Sequence, residues 1–191
     1  MMADFAREHA RGETEREKAV SLYYKVRDGF RYDPFRIDLS PAGMRPERVL
    51  HNGYGWCVPK AALLSAACRE VGIPARLGFA DVRNHLTTPK LREIMRTDVF
   101  AWHGFSEIFL EGRWVKATPA FNRELCEKSG VTPLEFDGRE DSIFQSYDGG
   151  RQHMEYLKMH GSFEEIPLDQ MLAAYREMYP HWDLKALSGH F

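Results

Sequence analysis

Cys57 stands between a glycine-rich approach and a helical pattern, in the segment GYGWCVPKAALLSAACREVGIPARLGF that begins at Gly53. Pro59 suits the first turn of a helix, apolar residues then recur at helical spacing, and Gly72 with Pro74 ends the run. The pattern predicts that Cys57 begins a helix, where unpaired backbone N–H groups and the helix dipole favour a thiolate. Cys57 is therefore a candidate nucleophile.

A nucleophilic cysteine needs a base that takes its proton and later protonates the leaving group, and imidazole does this best near neutral pH. His103 is the candidate. It stands at the start of a predicted strand pair, Phe105 to Leu110 and Arg113 to Ala117, joined by a tight turn at Glu111-Gly112. We expect Cys57 and His103 to meet where the helix packs on the sheet.

The two other cysteines and the remaining histidines have simpler interpretations. Cys57, Cys68 and Cys126 form an odd set without metal-ligand spacing, which fits a reducing compartment better than a disulfide framework. Cys68 lies in the apolar stripe of its helix, so we interpret it as a packing residue. His51 and His85 have no close ligand partner in the sequence, and we predict no metal site.

Composition limits the classes of protein that need to be considered. The 191 residues, 43% of them hydrophobic, are enough for one good core, which makes a single domain over 1–191 the expectation. The 26 basic and 28 acidic residues nearly balance, which predicts no nucleic-acid partner and no attraction to an anionic membrane. The charged N-terminal segment lacks an apolar stretch, so we expect a cytoplasmic protein.

Further elements are predicted from local patterns. A helix is expected from Glu15 to Asp28, with a capping box formed by Thr14 and Glu17, and residues 75–82 are typical of a strand. A last helix from about Leu168 to Met178 is expected to pack on the core or against another subunit, which leaves a homodimer open.

Two further interpretations concern the burial of two hairpin residues and the role of a later apolar segment. In the hairpin, we place Trp114 in the core and Glu107 on the exposed face. Five apolar residues of the long mixed segment that precedes the last helix could cover a cleft as a lid or form a secondary core, and we favour the core. They are Phe136, Phe144, Tyr147, Met154 and Tyr156.

The order of these features resembles the transglutaminase-like superfamily of papain-related cysteine enzymes. The resemblance is carried by GWC, a helix ending in GIPAR, and then HGFSEIFLEGRWVKATP, together with the upstream segments FRYD and VLHNGYGWC. It covers roughly Phe30 to Asn122 and leaves 123–191 as a C-terminal extension. It implies an α+β fold in which the helix of the nucleophilic cysteine packs on an antiparallel sheet carrying the histidine, with Cys57 as nucleophile and His103 as general base.

The chain departs from this family at the third catalytic position. Where the family usually has aspartate before proline, this sequence has Thr118-Pro119. A threonine hydroxyl can accept a hydrogen bond from the imidazole but carries no charge to stabilise imidazolium. The resemblance therefore implies Thr118 as the third catalytic residue of a weakened or altered enzyme, while Asp137, Asp141 and Asp148 are available as substitutes.

Two aromatic residues beside the cysteine are candidate substrate-binding groups. Trp56 either walls a cleft or packs in the core. Tyr54, together with the backbone N–H of Cys57, could form an oxyanion hole, because such holes need donors aimed where negative charge develops.

The function that the resemblance implies is cysteine-dependent acyl transfer, in the form of amide or peptide hydrolysis through a thioester on Cys57. The expected partner is a peptide, an amide or a small acyl substrate, and no cofactor is expected. No calcium-binding loop pattern occurs in the sequence. Two alternatives stay open: a catalytically impaired binding module, and a small-metabolite acyltransferase or cyclase on the same fold.

Overall fold

A computed structural model of the chain describes residues 1–143, 146–147 and 151–188. The helices of this part are α1 (Met2–His9), α2 (Glu15–Gly29), α3 (Pro46–Asn52), α4 (Cys57–Glu70), α5 (Pro89–Met95), α6 (Arg123–Ser129), α7 (Leu168–Met178) and α8 (Leu184–Ser188). The strands are β1 (Arg31–Tyr32), β2 (Tyr54–Gly55), β3 (Ala75–Asn84), β4 (Val99–Leu110), β5 (Arg113–Ala117), β6 (Ser146–Tyr147), β7 (Arg151–Gln152) and β8 (Met154–Phe163).

The main sheet has four antiparallel strands in the order β5-β4-β3-β8. Helix α4 packs on β4 and β3, and α1, α2 and α3 pack against α4. The predicted α+β fold, with the cysteine helix on an antiparallel sheet, is confirmed. No helix among the described residues is both long enough and apolar enough to cross a membrane.

Most predicted helices form where the local signals place them. Thr14 Oγ1 accepts a hydrogen bond from the Glu17 N–H at 3.2 Å, and the Glu17 carboxylate accepts one from the Thr14 N–H at 3.0 Å, so the capping box starts α2 as predicted. The predicted last helix coincides with α7. Helix α1 was not predicted; its buried Ala6 and partly buried Met2 and Phe5 pack against the cluster that also contains residues of α2 and α4.

The hairpin of β4 and β5 corrects three predictions. It begins at Val99, so His103 lies inside the strand and not at its start. Glu107 is buried, where its carboxylate accepts hydrogen bonds from Arg76 at 2.6 Å and from Ser162 at 2.7 Å. Trp114 is exposed on the edge strand β5, and the Arg76 guanidinium lies 4.0 Å from the centre of its ring.

The C-terminal extension, residues 123–191, contributes to the main sheet and to the hydrophobic core. Strand β8 pairs with β3, and α7 packs against β4. Met171, Leu172 and Tyr175 of α7 belong to the hydrophobic cluster that contains Cys57. Of the apolar residues that we assigned to a secondary core, Phe136 and Met154 are buried. Phe144 lies outside the described residues.

Candidate active site

Cys57 is held at the start of α4 by a constrained stretch of backbone. Gly53 ends α3 in the left-handed conformation, with φ of 74°, and β2 then pairs with β1. Trp56 precedes the helix with extended backbone and makes no side-chain capping hydrogen bond. The first N–H groups of α4 are therefore not capped by a side chain and are available to a negatively charged group near Cys57.

Helix α4 and strand β4 approach each other closely beside the cysteine. A Cβ atom at Gly104 would lie 3.0 Å from the Cα and Cγ2 atoms of Val58, so only glycine permits this contact without displacement. The sulfur of Cys57 interacts with the backbone N–H groups of Gly104, Val58 and Cys57 itself. Gly104 follows His103, so the same contact brings the candidate base to the cysteine.

Burial opposes charge on both candidate catalytic groups. Burial raises the pKa of the Cys57 thiol to about 11, although the three backbone N–H groups act in the opposite direction. Burial, with a smaller contribution from His153, lowers the pKa of His103 to about 4. The resting pair is a neutral thiol and a neutral imidazole, so the helix start does not by itself produce the thiolate that the sequence suggested.

Cys57 and His103 line one small apolar cavity of about 50 Å³. One water molecule needs about 10–15 Å³ of this kind of volume, so the cavity holds only a small group. Trp56 contributes to one wall, and Tyr175, Tyr179 and Trp182 contribute another from α7 and the residues after it. The C-terminal extension therefore encloses the cysteine.

A strained bulge in β4 directly precedes His103. Ala80 pairs with His103 and Val82 with Phe100, so Ala101 and Trp102 together lie opposite Asp81. Trp102 has φ of 56°, in the left-handed region that a bulky side chain rarely adopts. Bulges of this kind re-aim the neighbouring side chains, and here the neighbour is His103.

Asp81 and His160 support this bulge. Asp81 Oδ1 accepts a hydrogen bond from the Trp102 N–H at 3.0 Å and lies 2.7 Å from His160 Nε2. The His160 ring stacks on Trp102, with centroids 4.2 Å apart and planes inclined by 3°. The pair therefore stabilises the Trp102 conformation from both its backbone and its ring.

We expect Asp81→Leu to lower the free energy of unfolding by about 1–3 kcal/mol, because the Trp102 N–H loses its acceptor. The acylation rate of Cys57 should fall as well, since the bulge no longer orients His103. Asp81→Asn keeps the acceptor oxygen and should retain most of both properties. Urea unfolding and stopped-flow acylation measure the two effects; a folded Asp81→Leu protein with an unchanged acylation rate would show that the bulge does not position His103.

Thr118 lies directly after β5 and is buried. In the described part of the chain its hydroxyl makes no regular hydrogen bond, and the group that interacts with it is the phenol of Tyr156. The Tyr156 ring stands edge-on to His103, with centroids 6.0 Å apart. Tyr156 is thus a neighbour of both residues.

The aspartates considered as substitutes for Thr118 make other contacts. Asp137 accepts hydrogen bonds from the backbone of Arg139 and Glu140, and Asp141 accepts one from the backbone of Lys116. All three contacts are exposed. Asp148 lies outside the described residues.

The two predicted substrate-binding residues have different surroundings. Trp56 lines the Cys57 cavity and also belongs to the hydrophobic cluster that contains Cys57, so it takes part in both of the environments considered for it. Tyr54 is not among the residues that line this cavity, and the guanidinium groups of Arg36 and Arg31 lie 4.9 Å and 5.9 Å from the centre of its ring. Tyr54 therefore makes cation–π contacts with two arginines near β1.

Lys60 is a buried residue of this region that sequence reasoning missed. Its ammonium group, one helical turn after Cys57, donates to the carbonyl oxygens of Arg27, Phe30 and Ala120 at 2.9, 2.6 and 2.8 Å. Burial lowers the pKa of Lys60 to about 7. The three bonds connect α4 to the end of α2 and to the segment that follows Thr118. A single lysine within the apolar run CVPKAALL was the sequence signal that could have identified this buried residue.

Other site residues come from distant parts of the chain. Tyr32, Asn84 and Tyr175 contribute to the cavity from β1, β3 and α7. Nothing in their local sequence distinguishes them from ordinary strand or helix residues. They line the site only because the sheet and α7 fold against the start of α4.

A cysteine at the start of a central helix, beside a histidine on the adjacent antiparallel strand, defines the papain-like class of cysteine-enzyme folds. The chain belongs to the transglutaminase-like superfamily, whose core model matches residues 3–119. This confirms the resemblance. Proteins of this superfamily are typically enzymes, and the site is consistent with cysteine-based catalysis.

Solved structures share the fold at low sequence identity. An arylamine N-acetyltransferase from Salmonella typhimurium is 12% identical, with a TM-score of 0.55 over 94% of this chain and 70% of that one. A candidate cysteine protease from Cytophaga hutchinsonii is 15% identical (TM-score 0.47; 84% of this chain, 50% of that one), and a candidate protease from Parabacteroides distasonis is 16% identical (TM-score 0.43; 79% and 26%). The chain thus spans about a quarter of the Parabacteroides chain and half of the Cytophaga chain. No curated protein matches the sequence significantly.

Proposed function

We propose that the protein is a cysteine-dependent acyl-transfer enzyme that hydrolyses an amide through a thioester on Cys57. The proposal is supported by the close contact of Gly104 in β4 with Val58 at the uncapped start of α4, and by the cavity that Cys57 and His103 both line. A thiol, a base and convergent backbone donors are the groups that acyl transfer needs.

The reaction follows from the neutral resting pair. As the sulfur attacks the acyl carbon, the thiol proton passes to His103, and the backbone N–H groups at the helix start stabilise the charge that develops on the carbonyl oxygen. The carbon–nitrogen bond breaks and His103 delivers the proton to the leaving nitrogen. Water then attacks the thioester, which releases a carboxylic acid and restores the thiol.

The identity of Thr118 and the size of the Cys57 cavity add expectations about the reaction rate and the acyl group. Thr118 offers a hydroxyl where the family usually has a carboxylate, so the imidazolium formed during attack gains no full negative charge beside it. We infer a slower first step than in a complete triad. The cavity of about 50 Å³ at the sulfur favours a small acyl group over a bulky one.

An activated ester tests the proposal without knowledge of the natural substrate. Mixed with p-nitrophenyl acetate and quenched in acid, the wild-type protein should gain one acetyl group, and peptide mapping should locate it on Cys57. Cys57→Ala should gain none, whereas Cys68→Ser and Cys126→Ser should behave as wild type. Acetylation confined to lysines or to Cys126, with none on Cys57, would contradict the proposal.

A further inference from the structure

The hydroxyl of Tyr179 binds the β4 bulge from the C-terminal part of the chain. It accepts a hydrogen bond from the Ala101 N–H at 2.7 Å and donates one to the Val99 carbonyl oxygen at 3.1 Å. The pairing of β4 with β5 spans residues 106–110, so Val99 and Ala101 lie beyond its end. At this point one side chain therefore supplies the donor and the acceptor that a neighbouring strand would otherwise provide.

The two residues of the bulge are each held by a side chain from another element. Asp81 accepts the hydrogen bond of the Trp102 N–H, and Tyr179 accepts that of the preceding Ala101 N–H. Ala101 is 6% exposed and Tyr179 is 1% exposed, so water has little access to replace the hydroxyl. A buried N–H that loses its acceptor destabilises its conformation, because it also lacks the hydrogen bond that it would make to water.

Tyr179 also belongs to the wall of the Cys57 cavity. It lines this cavity together with Ala101 and His103. Its ring stacks on Trp182, with centroids 4.5 Å apart and planes inclined by 23°, and the residue forms the C-terminal cap of α7. One side chain therefore joins the C-terminal wall of the cavity to the backbone that lies two residues before His103.

We propose that Tyr179 is a positioning residue for the proposed acyl transfer: its hydroxyl fixes the bulge, and the bulge aims the His103 ring at Cys57. The proposal rests on the proposed function. Trp102 has a left-handed backbone, which a bulky residue keeps only where its surroundings impose it, and Tyr179 and Asp81 impose it from two different elements. Without the hydroxyl the bulge can relax toward regular strand backbone, which redirects the side chains that follow it.

Tyr179→Phe tests the proposal, because it removes the hydroxyl and keeps the ring at the cavity wall. In the reaction with p-nitrophenyl acetate we expect the maximal acetylation rate of Cys57 to fall by about 10–100-fold, since a displacement of about 1 Å at reacting groups can cost about 100-fold. The ester concentration that gives half of the maximal rate should stay close to the wild-type value, because the apolar wall is unchanged.

Tyr24→Phe is the matched control. The Tyr24 hydroxyl also accepts a backbone hydrogen bond, from the Phe136 N–H at 3.1 Å, and donates one, to Glu135 Oε2 at 2.6 Å. It lies on α2 and is not among the residues that line the Cys57 cavity. Both substitutions should lower the urea midpoint of unfolding, whereas only Tyr179→Phe should slow acetylation. Equal acetylation rates in the two variants would leave Tyr179 with a structural role alone and overturn the inference.

A second measurement requires no acyl chemistry. In the Cys57→Ala protein, long-range ¹H–¹⁵N spectra report the ring nitrogens of His103. We expect these resonances to shift when Tyr179→Phe is added and to stay in place when Tyr24→Phe is added; unchanged resonances would overturn the inference even if acetylation slowed. A wild-type protein that is never acetylated on Cys57 would contradict the proposed function, while the spectra would still show whether the hydroxyl sets the position of the His103 ring.

The wild-type protein provides a further check that does not depend on any variant. The Ala101 amide proton should exchange slowly with deuterium, because the buried Tyr179 hydroxyl accepts it. Exchange as fast as that of the exposed Glu111 amide in the β4–β5 turn would show that this hydrogen bond does not hold the bulge, and would also overturn the inference.

Discussion

Replacement of His103 by asparagine is expected to slow acetylation of Cys57 at pH 7 by about 10²–10⁴-fold, the usual contribution of a general base. The pH dependence should change as well. With a thiol pKa of about 11 and an imidazole pKa of about 4, the wild-type rate should be nearly constant between these values, because the thiol transfers its proton to His103 during attack. Without His103, only the free thiolate reacts, and the rate should rise about tenfold per pH unit below pH 11.

Stopped-flow release of p-nitrophenolate between pH 5.5 and 9 measures both effects. His51→Asn is the control, because His51 lies on the exposed surface of α3. A wild-type rate that rises tenfold per pH unit, equal to that of His103→Asn, would show that His103 takes no proton from Cys57. The same result would favour the alternative of a binding module that keeps the fold and has lost catalysis.

The second large effect concerns stability in mild acid. His103 and His153 both have a pKa of about 4 in the folded protein, against about 6.5 for an unfolded histidine. Because the folded values are depressed, the unfolded chain binds protons more readily, and stability falls as pH decreases from 6.5 toward 4. Each histidine should cost about 2 kcal/mol of the free energy of unfolding by pH 5.

Urea unfolding at pH 7.5, 6.0 and 5.0 measures this loss. Aspartate and glutamate titrate mainly below pH 5, and Lys60, with a pKa of about 7, contributes to the wild type and the double variant alike, so the difference between the two proteins isolates the two histidines. The double variant His103→Asn with His153→Gln should lose much less stability between pH 7.5 and 5.0 than the wild type, whereas His51→Asn should match the wild type. Equal slopes in the wild type and the double variant would mean that neither histidine is kept neutral by burial.

Local signals were sufficient for several parts of this protein. Pro59 and the apolar repeat after Cys57 predicted the start of α4, Thr14 and Glu17 predicted the start of α2, and the Glu111-Gly112 turn predicted the hairpin between β4 and β5. These features depend on residues within a few positions of one another. The order of the motifs around Cys57 and His103 was also enough to indicate the superfamily, which the match over residues 3–119 confirms.

The ionisation of the site depended on tertiary structure. A helix start favours a thiolate when the thiol is accessible to water, but Cys57 and His103 are both buried, and desolvation acts on each more strongly than the helix N–H groups do. No local pattern reports how many other residues cover a side chain. Burial therefore raises the pKa of the Cys57 thiol despite the helix start, which by itself favours the thiolate.

The walls of the site also required the folded chain. Short-range periodicity and turn chemistry were enough to predict the helix that begins at Cys57 and the hairpin that follows His103. The folded chain was needed to show that Tyr175 of α7 lines the cavity at the sulfur, that a bulge at Trp102 directly precedes His103, and that His153 Nε2 lies 2.9 Å from Asn84 Oδ1. These contacts join residues distant in the sequence, and they arise from the packing of α7 on β4 and from the pairing of β3 with β4 and β8.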